Sequence, residues 1–197
     1  DAFVGYQNVI IPVQENTAGY TIDAVVPMQR PLAKFNFVST DLQAFLTRVL
    51  SIRASKLSED VNDLTPEELE ELYSELRPSN VDYGDFRVVF NYVGFMPHVF
   101  DLYRNRPIDA LVGVTFDSSL RVISDDEAEL GFDYVFVNGN ESAVTLILQT
   151  YDKDGTLVSQ TSDIRVPIVR SKLTTVRGQL LTRIASGNVG IDPGFDD

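Results

Sequence analysis

Apolar and polar residues alternate with period two along most of the chain. The alternation is clearest over residues 86–92, where Phe86, Val88, Phe90 and Tyr92 fall on one face and Arg87 and Asn91 on the other, with Val89 the exception. A strand with one buried face is written this way, whereas one buried on both faces reads as a continuous apolar run. Further candidate strands lie at residues 8–13, 20–26, 32–38, 111–116, 132–137, 144–151, 157–160, 164–169 and 173–181. The first two end at Pro12-Val13 and Pro27, which marks open strand ends or edges. Asp152-Lys153-Asp154-Gly155 is a hairpin signal, because Gly accepts the positive φ of a tight turn, and Asn138-Gly139-Asn140 is a second. Short strands punctuated by such turns predict a mainly β chain folded as a sandwich or barrel, of which a Greek-key β-sandwich with one or two short helices is the form expected here.

Two segments change period. After Ser39-Thr40, the residues Leu42, Phe45, Leu46, Val49 and Leu50 recur three and four apart, which predicts a short helix packed on the sheet with Thr40 or Ser39 as N-cap. In residues 65–76, Thr65, Pro66 and Glu68 form a capping box, and Leu69, Leu72, Tyr73 and Leu76 give one apolar stripe. This second helix lies inside residues 58–85, an acidic stretch read as an insertion between two strands. Otherwise residues 1–197 read as a single domain.

Charge sharpens the picture. The net charge is −13, from 29 acidic and 16 basic residues. Residues 58–85 hold ten of the acids against Arg77 alone, so about nine of the thirteen charges sit in the insertion and the sandwich proper is only mildly acidic. No segment is basic enough to neutralise a phosphate backbone, which excludes nucleic acid as a partner. The absence of Cys excludes a disulfide framework, a thiol nucleophile and a thiolate metal site, and one His cannot build a multi-histidine centre. No run of apolar residues is long enough to span a bilayer as a helix.

Candidate chemistry is thin. His98 stands in an apolar setting with no nucleophile elbow in the chain, and reads as a turn or loop histidine. Asp125, Asp126, Glu127 and Glu129 cluster, and two carboxylates suffice for a glycosidase, but a solvated loop accounts for them more simply. Asp152-Lys153-Asp154-Gly155 starts like a calcium loop yet lacks the closing bidentate Glu. Gly187-Asn188-Val189-Gly190 is too short for a phosphate loop, and Asn140-Glu141-Ser142 is a glycosylation sequon of the kind that occurs by chance. No residue is assigned a catalytic, cofactor-binding or metal-binding role.

Four stretches carry a family resemblance. They are Arg30-Pro31-Leu32-Ala33-Lys34-Phe35-Asn36-Phe37 followed by Thr40-Asp41-Leu42; Tyr92-Val93-Gly94-Phe95-Met96-Pro97; Glu129-Leu130-Gly131-Phe132-Asp133-Tyr134-Val135-Phe136-Val137-Asn138; and Val166-Pro167-Ile168-Val169-Arg170-Ser171-Lys172-Leu173-Thr174-Thr175-Val176-Arg177-Gly178. Together they resemble the fimbrillin-like proteins of Bacteroidetes, which include subunits and accessory proteins of type V pili. The resemblance implies a transthyretin-like β-sandwich, made as a lipoprotein precursor and displayed at the outer membrane or in a fimbrium. It implies partners as well: other fimbrial subunits, or the chain's own cleaved strand, held by β-strand exchange, and host or bacterial surface ligands. No catalytic motif comes with it.

Relatives in that family carry further N-terminal strands and a lipidated Cys ahead of the position of Asp1-Ala2-Phe3, and tend to continue into a last strand after the position of Gly194-Phe195-Asp196-Asp197. The resemblance therefore leads us to expect a sandwich short of N-terminal strands and of its last strand. Since Arg often precedes the Asp-Ala-Phe position in relatives, Asp1 is a candidate product of proteolytic processing. The expected function is a non-enzymatic surface structural or adhesion protein that completes its fold by strand complementation. The alternatives are a surface glycan-binding module and a carboxylate-dependent hydrolase.

Overall fold

Eleven strands and one long helix carry out this pattern in a computed structural model that describes residues 3–11, 21–58, 65–67, 70, 74 and 81–182. In chain order the elements are β1 (Leu32–Ser39), α1 (Leu42–Ser58), β2 (Arg87–Tyr92), β3 (Met96–Asp101), β4 (Arg106–Leu111), β5 (Thr115–Ser119), β6 (Arg121–Val122), β7 (Ala128–Phe136), β8 (Glu141–Tyr151), β9 (Leu157–Gln160), β10 (Ile164–Val169) and β11 (Leu173–Gly178). One sheet has the order β11-β1-β7-β6, and the second has β10-β8-β2-β5 with β9 also paired to β8. Among the described residues β3 and β4 pair only with each other. The chain crosses between the sheets at β1–β2, β5–β6, β7–β8 and β10–β11, so the fold is a β-sandwich.

The two inner faces meet in an aromatic core. Phe35 and Phe37 of β1, Phe86 just before β2, and Val88 and Phe90 of β2 are 0–1% exposed. Phe37 meets Phe90 edge-on with ring centroids 5.5 Å apart, and Phe35 meets Tyr92 at 6.5 Å. Phe90 stacks on Phe116, its register partner in β5, at 4.3 Å. Each such ring contributes about 1.5–3 kcal/mol through burial alone. The alternation over residues 86–92 is thus realised as expected, and Val89 is buried on the opposite face.

Helix α1 is longer than the apolar spacing of residues 42–50 indicated. Leu42, Phe45, Leu46 and Val49 are buried, with Phe45 packed edge-on against Phe86 at 5.1 Å. Its outer side has no apolar signal because Thr47, Ser51 and Ser55 follow one another four apart, each hydroxyl donating to the carbonyl one turn back at 2.8–2.9 Å. Neither Thr40 nor Ser39 caps it. The first N–H groups, of Leu42 and Gln43, are instead met from outside by the carbonyl and Oδ1 of Asp126 at 3.1 and 3.2 Å. Asp41, the residue before the helix, turns its carboxylate to the segment after β11, where it accepts the N–H of Leu181 at 3.3 Å, the N–H of Thr182 at 2.8 Å and the Thr182 hydroxyl at 2.5 Å. Ser39 also donates to Asp41, and its Oγ accepts the N–H of Leu180 at 3.0 Å.

Several expectations need correction. Residues 8–11 and 21–26 form no strand, and their surroundings contribute only an isolated bridge between Val4 and Gln29. The candidate strand at 111–116 is two strands, β4 and β5, parted by a bend at Gly113, which has φ +67. β7 begins four residues before the expected start; its alternation is hidden by a bulge at Leu130–Gly131, opposite Phe37 and Val38 of β1, where Gly131 has φ +135. Of the acidic stretch 58–85, Pro66, Glu67, Glu70 and Ser74 are helical and Tyr83–Asp85 is a 3-10 turn capped by the extended Asp82; apart from Ser58 at the end of α1, Thr65 and Val81, the rest lies outside the described residues.

Candidate functional site

A sandwich of this kind offers its sheet edges to partners, and the four edges are unequal. β10 follows β9 along the same side of β8, the break between them bridged by Thr161, whose N–H and Oγ1 bond Leu148 at 2.9 and 3.0 Å. The N–H of Arg170 donates to the Asn140 carbonyl at 2.9 Å, which sets the even-numbered residues of β10 toward β8. Pro167 therefore faces outward. It has no N–H to offer, and its carbonyl is taken by the Thr174 hydroxyl at 2.9 Å. A proline on the outer line of an edge strand blocks strand addition. β6 is two residues long, and β5 carries the charged Asp117, tied to Arg87 at 3.1 Å.

β11 is different. It runs parallel to β1, in register from Lys34 opposite Leu173 to Ser39 opposite Gly178. Lys34 donates to the Lys172 carbonyl at 3.0 Å and Thr40 to the Gly178 carbonyl at 2.9 Å, so the even-numbered residues turn their backbone toward β1. The N–H and C=O groups of Leu173, Thr175 and Arg177 point the other way, and among the described residues no strand pairs with them. This is an unblocked edge of β-branched and aliphatic residues, the arrangement that accepts an added strand.

Strand-prone residues without a sheet lie elsewhere in the same chain. Val9, Ile10 and Ile11 are 44%, 88% and 72% exposed.

The β3–β4 ribbon is the second exposed apolar feature, with Phe95, Leu102, Tyr103, Ile108 and Val112 each more than half exposed. Two strands alone are marginal in water. Here the ribbon is held from one side, by Phe100 stacked on Phe136 at 5.3 Å and by Arg170. Arg170 is buried, lies over the Phe100 ring at 5.4 Å, and donates to Asn105 Oδ1 at 2.8 Å, the Asn105 carbonyl at 3.3 Å and the Val137 carbonyl at 3.1 Å. Among the described residues no carboxylate pairs with it, and burial lowers its guanidinium below the ordinary value. Nothing in the sequence marked residues 96–111 as a hairpin, because Pro97 and the mixed exposure of both strands hide the alternation. The positive φ of Asn105, +53, was the available signal, since Asn adopts it readily.

A family model matches the whole of residues 1–197. The chain belongs to the family of unknown function DUF6562. No curated protein and no solved structure matches it. The DUF6562 description names no activity, and the fimbrillin-like resemblance stands on its four sequence stretches.

The fold disperses the remaining candidates of this DUF6562 chain. His98 lies on β3 and is partly exposed, its Nε2 3.8 Å from Asp109 Oδ2 across the ribbon. Asp125 and Asp126 bind the start of α1, Glu127 pairs with Arg177 and Glu129 with Arg121, so these acids are structural ties. Asp152 is buried in its turn, where Oδ1 accepts the N–H groups of Asp154 and Thr156 at 3.0 and 2.8 Å and Gly155 has φ +79. Among the described residues no group of three potential metal ligands is gathered, and no helix is long and apolar enough to cross a membrane. Asp1 and residues 187–190 lie outside the described residues.

Among the described residues Tyr92 carries the largest shift, and it lies against Asp133. The bulge at Gly131 turns Asp133 inward, and its Oδ2 accepts the Tyr92 hydroxyl at 2.6 Å. Burial, reinforced by the neighbouring carboxylate, pushes the Tyr92 phenol far above its ordinary range. A phenol held this firmly neutral serves as a hydrogen-bond donor that ties the two sheets.

Proposed function

We propose that this protein is a non-enzymatic surface structural or adhesion subunit, related to fimbrial proteins, that associates by strand addition at the outer edge of β11. The supporting observation is the contrast between edges: Pro167 closes β10, β6 is vestigial, and among the described residues no strand pairs with the backbone of Leu173, Thr175 and Arg177. Three of the four stretches resembling fimbrillin-like proteins support the same reading, since they fall on β1, β7 and the β10–β11 corner, in the sheet that carries this edge; the other joins β2 to β3. The donor is a strand from another copy or subunit, and the chain's own strand-prone residues 8–13 have the required composition. Outer-membrane or fimbrial placement belongs to this proposal.

The test is a synthetic peptide of residues 3–13 added to the full chain. Strand addition raises the thermal midpoint in proportion to the logarithm of peptide concentration once above the dissociation constant. A midpoint unmoved by the peptide, together with sedimentation as a monomer at every concentration, would remove the proposal.

A further inference from the structure

We propose a second site, independent of the β11 edge: a cleft between the tip of the β3–β4 ribbon and residues 6–8 that binds a carboxylate-bearing sugar. The cleft encloses about 560 Å³ and is lined by Tyr6, Gln7, Asn8, Tyr103, Arg104 and Arg106. That volume lies within the roughly 300–1,000 Å³ of small-ligand sites. On a chain of net charge −13, a concavity with two guanidinium groups and no acid in its lining is an electrostatic exception.

The cations are placed, and one is uncommitted. Among the described residues Arg104 is tied only within its own turn, its N–H to Asp101 Oδ1 at 2.9 Å and its Nη1 to Oδ2 at 3.4 Å. Arg106 has no ion-pair or hydrogen-bond partner among the described residues beyond the ladder of its own ribbon. Between them stands Asn105, held in the left-handed conformation and gripped through both side chain and carbonyl by the buried Arg170. The two arginines thus flank a fixed point, which reduces the ordering cost of binding.

The lining selects the ligand. A guanidinium fork matches a carboxylate in two parallel hydrogen bonds. Tyr6 and Tyr103, 66% and 94% exposed, offer ring faces and hydroxyls to a surface that is apolar on one side and hydroxylated on the other. The side-chain amides of Gln7 and Asn8 both donate and accept, as sugar hydroxyls require. A neutral sugar would leave Arg106 unmatched, and the dense charge of a polyphosphate would be repelled by the acidic chain.

The experiment titrates the full chain with a trimer of galacturonic acid, a trimer of galactose and tri-glutamate, followed by calorimetry. Only the uronate trimer is expected to bind, with affinity reduced about ten- to a hundredfold in Arg106→Gln, as loss of a charge-assisted hydrogen bond dictates. The exposed turn variant Lys153→Gln is expected to bind as the parent does. Should Arg106→Gln fold poorly, Tyr103→Ser is the second variant, with the same expected direction of loss. Absence of uronate binding, equal binding of the neutral trimer, equal binding of tri-glutamate, or full affinity in a folded cleft variant would each overturn the proposal.

Discussion

Replacing Thr175 by proline places the device that closes β10 onto β11. Thr175 turns its N–H away from β1, so the ring removes no bond from the existing sheet. The expected cost to stability is about 1 kcal/mol, the span of strand preferences at such positions. For an incoming strand the consequence is larger. Full pairing along Leu173, Thr175 and Arg177 would make about six backbone hydrogen bonds, each worth about 0.5–1.5 kcal/mol net. Proline at the middle position removes one donor, and its ring displaces the facing backbone, so two to three bonds are lost. That is about 1.5–4 kcal/mol, or about ten- to several-hundredfold in affinity. Calorimetry with the peptide of residues 3–13, alongside the thermal midpoint of the free protein, reads both quantities. Thr174→Pro is the contrasting variant, because Thr174 is 1% exposed, bonds β1 through its N–H and supplies the hydroxyl on Pro167. It should lose about 3 kcal/mol or more of stability. A Thr175→Pro protein that binds the peptide as tightly as the parent would refute the edge argument.

Three further outcomes follow from the packing. Gly131→Ala should destabilise by about 3 kcal/mol, read as a lower urea midpoint at unchanged slope, since the added Cβ would come 2.5 Å from Ser118 Oγ and 3.0 Å from Phe90 at a φ of +135. Asp41→Ala should lose about 3 kcal/mol and raise amide exchange at Leu181 and Thr182, whose N–H groups would be left without their acceptor. The raised Tyr92 pKa favours the protonated phenol in the folded state, so its contribution is complete below the ordinary tyrosine value of about 10 and falls as pH rises above it. Thermal midpoints of the parent should therefore drop more steeply than those of Tyr92→Phe between about pH 10 and 11.5.

The sandwich was legible because its inner faces obey a strict period, with Phe86, Val88, Phe90 and Tyr92 all buried and the turns at Gly139 and Gly155 adopting the positive φ their sequences announced. What was not legible depended on long-range partners. The bulge at Gly131 has no local mark beyond a glycine, and the capping of α1 by Asp126 joins residues more than eighty positions apart. Strands were expected at residues 8–13 and 20–26, but residues 8–11 and 21–26 form none, because no neighbour among the described residues satisfies their strand preference. Of the candidate sites, the β11 edge follows from alternation only once its parallel pairing with β1 is known. The arginine pair at the ribbon tip was hidden because Tyr6 and Tyr103 are nearly a hundred residues apart.

The parallel pairing of β1 with β11 also has a consequence in time. Ser39 and Gly178 face each other across 139 residues of chain. Every other strand of the first sheet can find its neighbour earlier, but the central position of β1 stays half empty until nearly the last described residue has emerged. Contacts of such separation slow folding and leave sheet edges open meanwhile. During synthesis β1 therefore has no partner on one side until β11 has emerged, and Asp41 can close on Leu181 and Thr182 only after that.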